Sequence, residues 1–487
     1  MQRSSPSRVL GSVLPPCKAE RRQTRKSHPG KSHLAYSCSR HVGEEPCYQG
    51  AVRPILATFG IALALRVWVA WLVGPTSLVG DEWDYVARGA RWALGQAPQD
   101  GFRAPMFEWI IGALITLLGK DSPQLRMAAA GISAMVVWPT YLLARLVGNQ
   151  RTALLAALLV GTTGASIAYA HLLWGEGIYS VLAITAVYLT ARCLQERSLH
   201  WSAPAGLVWA VLALYREVAL VALAITCIWI VLWQARPHLR QLGLLLALAL
   251  IPVFTWSAWL NRTNTADDAW ALVSRTTYLN LYIGNGPPTA KQEYQRLASR
   301  AAEREARAKP RVHQIIVEQP NWIWTKLKKH GPRFVSPGGF PIRRLFMALE
   351  KPTDRWSYRL RPPHKLTESR TEELATLYAV QNIALIALGL LGWVLFIGQH
   401  KSRSIGMVAL AFILGHWIPT VVTFAATRFR EPLVPLLCVG AAIVLVQPRE
   451  TWSRAQAVAR ILALAAALAA GYLAVSQFDQ ALSSRWL

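Results

Sequence analysis

Runs of about 18 or more apolar residues recur along this chain, and they rule out most folds open to a chain of this length. A helix of about 20 residues spans the hydrocarbon core of a bilayer. In lipid, each backbone N–H and C=O must be satisfied within the segment, so repeated runs mean membrane helices. The first run lies at roughly 53–73 and contains PILATFGIALALRVWVAWLV. Others lie near 124–144, 153–171, 176–193, 203–215, 217–234, 241–260, 374–397, 404–424, 431–447 and 456–475. The pattern predicts an all-α polytopic membrane protein of about eleven spans. The stretch 203–234 is ambiguous because Arg216 and Glu217 interrupt it.

Hydrophobic residues make up 53% of the 487, and mean hydropathy is +0.26, rare for a large soluble protein. The formal charge of +26 would suggest nucleic acid on a soluble chain. Here the basic residues sit in the N-terminal segment, in short connections between apolar runs and in one long loop. That layout suits membrane topology and anionic lipid or phosphate groups. Cys17, Cys38, Cys47, Cys193, Cys227 and Cys438 show no CxxC or metal-type spacing, which argues against a disulfide framework or a zinc finger.

Three regions are expected: a disordered basic tail at 1–50, a transmembrane domain at 51–477 and a short tail at 478–487. The first tail lacks the apolar core of a signal peptide. Residues 83–95 place Trp83, Val86, Ala87, Ala90, Ala93 and Leu94 at helical spacing on a segment too polar to span. They predict a helix lying on the membrane surface, with 106–118 as a second interfacial or partly inserted helix.

Basic residues in short loops set orientation. With the N-terminus inside, the inner loops hold Arg145 and Arg151, Arg192 and Arg197, Arg236 and Arg240, Lys401 and Arg403, and Arg449 and Arg454. The first outer loop (75–123), Glu176, the Arg216–Glu217 pair, the long loop 261–373 and Arg428 with Arg430 then all share the outer side. Carboxylates and arginines gathered at one membrane face are the chemically informative outcome.

Asp81 and Glu82 open the surface helix. Acids there can cap free N–H groups and favour the helix dipole. Asp84 can do the same, which leaves the pair free to offer a general base that takes a proton from an attacking hydroxyl or amine. Arg103, in GFRAPMFEW, is either a snorkelling arginine or a phosphate ligand, since a guanidinium fork matches phosphate oxygens. Glu176, in HLLWGEGIYSVL, is a solvated turn residue or a partner of Asp81 that leaves room for a divalent cation. His171 reads as a turn residue. Arg216 and Glu217, within a long apolar run, are expensive there and suspect for that reason. Arg428 and Arg430 precede a span in ATRFREPLVPLL. In the long loop, basic residues outnumber acids, and Trp322, Trp324, Phe334 and Phe340 interleave with Lys326, Lys328, Lys329, Arg333, Arg343 and Arg344. That mixture suits a membrane interface, with short helices covering the site and part of 286–312 mobile.

The order of these pieces resembles the GT-C glycosyltransferases that use polyprenyl-phosphate sugars. The closest group is the glycosyltransferase 39 type, which includes protein O-mannosyltransferases and lipid A aminoarabinose transferases. The resemblance rests on GDE at 80–82, FRAP at 102–105, WGEGIY at 174–179, LYREVAL at 214–220 (without the family's proline), LNLYIGN at 279–285 and RFREPLVP at 428–435. It implies a GT-C-like bundle and inverting transfer of a sugar from a polyprenyl-phosphate donor to a lipid, glycan or protein acceptor. Asp81 would be the base and Glu82 a helper. Arg103, Arg216 and Arg428 would bind the donor phosphate, with Glu176 as an acidic wall or cation ligand. Asn280, Tyr282 and Asn285 would belong to a substrate loop. No cofactor is certain, a divalent metal ion is left open, and the expected setting is a bacterial inner membrane with the site facing the periplasm. A transporter or flippase, with its polar residues at the bilayer midplane, is the main rival reading; an O-antigen ligase-like enzyme is the second.

Overall fold

The computed structural model describes residues 48–476 except 74–77, 79–80, 97–100, 121–122, 234–238, 264–269, 288–289, 291–300, 336–366, 400–402 and 424–426. The two expected tails fall outside the described residues, apart from 48–50, and so do Phe340, Arg343 and Arg344. Among the described residues every regular element is helical.

Helix α1 (Tyr48–Val73) is followed by α2 (Glu82–Ala93) and α3 (Pro105–Leu118). These two are the helices expected in the first outer loop. Pro105 occupies the start of α3, where its fixed φ costs nothing. Ala104 before it is extended, as a residue preceding proline must be. Then come α4 (Pro123–Ala134), α5 (Val137–Val147), α6 (Gln150–Thr162) and α7 (Gly164–Ala170). Helices α8 (Glu176–Glu196), α9 (Leu199–Tyr215), α10 (Val218–Trp233), α11 (Leu239–Thr263) and α12 (Thr277–Asn285) follow. Side-chain oxygens of Asn149 and Ser198 cap α6 and α9 by accepting from Thr152 N (2.9 Å) and His200 N (3.2 Å).

Among the described residues, seven helices are long and apolar enough to cross a membrane: Val52–Leu72, Pro123–Val147, Glu176–Glu196, Leu239–Thr263, Ser369–Ile397, Arg403–Thr423 and Arg428–Val446. The bent pair α6–α7 makes eight if it is one span. The chain is therefore a multi-pass membrane protein; among the described residues seven or eight segments meet the length and composition of a crossing, against the eleven expected. The ambiguous stretch 203–234 forms two helices, as its two apolar runs predict. Arg216 adopts an extended conformation (φ −154°, ψ 129°) and cuts the apolar stretch into two shorter helices, α9 and α10. The expected last span likewise falls on a short apolar helix, Ala457–Tyr472.

Two devices let these helices pack without water. The first is at the bend of 48° between α6 and α7. A helix end leaves carbonyls without partners, and Arg66, 1% exposed in mid-α1, donates to Gly161 O (2.8 Å) and Val160 O (3.0 Å) at that end. Gln381 Oε1 accepts from Gly164 N at 2.9 Å on the other side of the break. The second is a close crossing of Glu368–Ile397 with Val434–Val446. A Cβ on Gly392 would lie 1.9 Å from Gly440 O, and one on Gly440 2.1 Å from Gly389 O. Membrane helices lack a hydrophobic drive toward one another, so close backbone contact between small residues holds them together.

Candidate active site

Asp81 sits at the N-cap of α2, yet its side chain makes no capping hydrogen bond. Both of its oxygens go elsewhere. Oδ1 accepts from Arg103 Nη2 at 3.0 Å, and Oδ2 lies 2.9 Å from Arg428 Nη2. Arg103 comes from the extended residues before α3. Arg428 comes from a 3-10 turn, Thr427–Leu433, that leads into Val434–Val446.

Arg428 also lies 3.8 Å from Glu176 Oε1, and Arg216 Nη2 reaches the same oxygen at 2.8 Å. The result is an alternating string, Arg103–Asp81–Arg428–Glu176–Arg216. On the other side Arg103 Nε binds Asp84 Oδ2 at 2.8 Å, Arg88 Nε binds Asp84 Oδ1 at 2.9 Å, and Arg88 lies 3.6 Å from Glu108. Aromatic rings lie against the guanidinium groups. Arg103 lies over Tyr85 (4.9 Å), Arg428 over Trp174 (4.9 Å) and Phe429 (4.8 Å), and Arg216 over Phe429 (5.1 Å) and Tyr179 (5.5 Å).

Side-chain exposure is 23% for Asp81, 25% for Arg103, 23% for Arg428 and 18% for Arg216, whereas Glu176 is at 1%. The string thus has a buried root and an open edge. Burial alone pushes the Asp81 carboxyl up, but the guanidinium groups of Arg428 and Arg103 outweigh it and hold it well below the usual carboxylate range.

Glu176 is placed by the turn before it. Gly175 has φ +87°, and its carbonyl accepts a hydrogen bond from the Tyr215 hydroxyl at 2.8 Å. A Cβ there would meet that hydroxyl at 2.5 Å, so the turn needs glycine twice over.

Glu82 takes a different path from Asp81. It is 0% exposed, accepts from Arg126 Nη2 at 2.8 Å, and accepts from Leu173 N at 2.8 Å. Arg126 Nη1 also donates to His171 O at 3.2 Å. These bonds tie α2 to α4 and to the 171–175 turn. His171 is buried, and burial together with Arg126 lowers its pKa to about 3.

The other expected residues stand apart from the string. A 3-10 helix turns 120° per residue, so Arg428 and Arg430 point to different sides. Arg430 Nη1 donates to Phe334 O at 3.0 Å and anchors the helix Trp322–Val335. Glu217 accepts from Ser274 N at 2.6 Å and from the Thr277 hydroxyl, fixing the start of α12; burial raises its pKa against those bonds. Asn285 Nδ2 donates to Val422 O at 3.0 Å and docks the end of α12 on Arg403–Thr423. Asn280 and Tyr282 lie half-buried on that helix.

Among the described residues, no three of His, Cys, Asp and Glu gather closely enough to hold a metal ion. Asp81 and Glu176 face guanidinium groups, and that donor set does not fit a divalent cation. Sequence reasoning missed Arg88, Glu108 and Arg126 and the aromatic rings Tyr85 and Phe429. Only Asp84–Arg88 left a readable signal, an i,i+4 pair on a helix.

Comparison with known proteins adds the following. No curated protein matches the chain. Among solved structures, the oligosaccharyltransferase AglB from Archaeoglobus fulgidus, in complex with an inhibitory peptide and a dolichol-phosphate, aligns at 15% identity and a TM-score of 0.47. That alignment covers 88% of this chain and 56% of that one. ArnT from Cupriavidus metallidurans in the apo state aligns at 14% identity and a TM-score of 0.36, covering 81% and 78%. The chain thus spans little more than half the length of the archaeal protein. The family model described as dolichyl-phosphate-mannose-protein mannosyltransferase matches residues 102–259. From the FRAP element through the Arg216–Glu217 break and on to α11, the chain therefore resembles the mannosyltransferase-like membrane glycosyltransferases of the GT-C type.

Proposed function

We propose that this protein transfers a sugar from a polyprenyl-phosphate-linked donor to an acceptor on the outer side of the membrane, with Asp81 as the general base. The observation that carries the reading is the string itself. Three arginines from distant segments, Arg103, Arg428 and Arg216, alternate with the carboxylates of Asp81 and Glu176 along a partly open edge. The basic residues of the short loops support the outer, periplasmic placement in a bacterial inner membrane.

In the reaction the acceptor hydroxyl or amine attacks the anomeric carbon while the carbon–oxygen bond to the donor phosphate breaks. The bonding pair leaves with the phosphate oxygen, and the acceptor proton goes to the Asp81 carboxylate. Arginine forks stabilise the negative charge that builds on the departing phosphate. One direct displacement inverts the anomeric centre. We assign Glu82 a holding role, because its oxygens are spent on Arg126 and Leu173. Glu176 holds Arg216 and Arg428 in place.

Membranes supplied with radiolabelled polyprenyl-phosphate sugars test this reading by comparing wild type with Asp81→Asn. Loss of a general base costs about 10²–10⁴-fold in turnover. Transfer by Asp81→Asn at the wild-type rate would refute the role of Asp81.

A further inference from the structure

Each of the three arginines assigned to the donor phosphate is already engaged by a carboxylate. Arg103 and Arg428 occupy one oxygen each of Asp81, and Arg428 shares Glu176 with Arg216. A base clamped between two cations gives up its affinity for protons, which is the opposite of what proton abstraction needs. We propose that Arg103 and Arg428 keep Asp81 idle in the donor-free protein, and that the donor phosphate arms it by drawing those two guanidinium groups onto itself. The inference rests on the glycosyltransferase reading and adds its regulation.

The geometry allows this without moving a helix. An arginine carries five N–H donors in a planar fork. Arg103 uses Nε on Asp84 and Nη2 on Asp81, and Arg428 uses Nη2 on Asp81. The rings of Tyr85, Trp174 and Phe429 lie against these guanidinium groups at 4.9, 4.9 and 4.8 Å and leave N–H donors of each fork for a phosphate. A phosphate that shares the forks and one that displaces Asp81 act in the same direction, because either puts negative charge beside the carboxylate.

The charged and titratable groups around Asp81 come from each packed segment. Tyr85 and Asp84 lie on α2, Arg103 lies before α3, Glu176 begins α8, Arg216 sits in the α9–α10 break, and Arg428 lies on the 3-10 turn. Of these, the donor phosphate acts directly on the arginines. Asp81 then returns toward its ordinary range once they are shared. It stays ionised at neutral pH but accepts a proton more readily. No co-reactant is needed, and donor without acceptor is enough to reveal the change.

The test is calorimetric titration of the detergent-solubilised full chain with polyprenyl-phosphoryl mannose, in buffers of different ionisation enthalpy and without acceptor. This probe is a phosphodiester and does not itself titrate above about pH 2, so proton uptake reports on the protein. Expected is uptake that is absent at about pH 8 and grows to about half a proton between pH 6 and 4, where the freed carboxyl titrates. Asp84→Asn should retain the uptake. Asp81→Asn should bind the probe with none, and infrared difference spectra should lose a carboxylic acid band with it. Binding without proton uptake, or with uptake that persists in Asp81→Asn, overturns this inference and leaves the transferase reading intact. A folded wild-type protein that binds no probe overturns both.

Discussion

Glu82→Ala tests the holding role most directly. The wild-type carboxylate is fully buried and accepts bonds from Arg126 and from the amide of Leu173. The Arg126 side chain is 5% exposed. Removing one partner of a buried ion pair costs about 3–5 kcal/mol, because the other charge stays behind without compensation. The Leu173 amide loses its acceptor as well, at about 1–3 kcal/mol. These terms overlap, so a loss on the order of 5 kcal/mol is expected, against a usual net stability of about 5–15 kcal/mol. Glu82→Leu combined with Arg126→Leu removes both charges and should cost only about 1–3 kcal/mol, most of it from the orphaned amide. The assay is the half-life of monodisperse protein in detergent at fixed temperature, read by size exclusion, because unfolding of such proteins is rarely reversible. The single variant should be short-lived and the double variant markedly longer-lived than it. A Glu82→Ala protein as durable as wild type, or a double variant worse than either single one, would refute the assignment.

Three further outcomes follow from the packing. Arg66→Met strips the guanidinium from two carbonyls at the end of α6 and should lower stability by about 2–4 kcal/mol, seen as a lower melting temperature in detergent. Gly440→Val cannot fit where a Cβ already meets Gly389 O at 2.1 Å, so cross-linking between the two helices that cross there should fail. His171, whose pKa falls to about 3 in the folded protein, stays neutral there while the unfolded chain takes up a proton below about 6.5. Stability should therefore fall as pH drops from about 6.5 toward 3, by up to about 1.4 kcal/mol per pH unit. His171→Leu should flatten that acid limb in thermal unfolding against pH.

Much of the architecture was legible because hydropathy is a local property. Helices α1, α8 and α11 could be read from runs of apolar residues, and α2 from its amphipathic spacing. The number of crossings was less legible. A charged break such as Arg216–Glu217 does not say in sequence whether it ends a helix or bends one. Within the string, Asp81, Arg103, Glu176, Arg216 and Arg428 were nameable from motifs, but their partners were not. Pairing between residues 81 and 428 has no signature in either segment. Arg430 shows the limit well: it stands two residues from Arg428 in the same motif, and only the 3-10 geometry sends it to Phe334 instead. Arg126 was invisible for a different reason, since a lone arginine near a helix start looks like any interfacial arginine.

The order in which the string is synthesised has a consequence for biogenesis. Asp81, Arg103 and Glu176 enter the membrane region early, whereas Arg428 emerges about 250 residues after Glu176, a delay of tens of seconds at about 5–20 residues per second. Until then Asp81 lacks one of its two cations and Glu176 has only Arg216. A chain that ends before Arg428 thus leaves Asp81 with Arg103 alone and Glu176 with Arg216 alone. The last arginine to arrive is the one that joins the two halves of the string, since Arg428 alone reaches both Asp81 and Glu176.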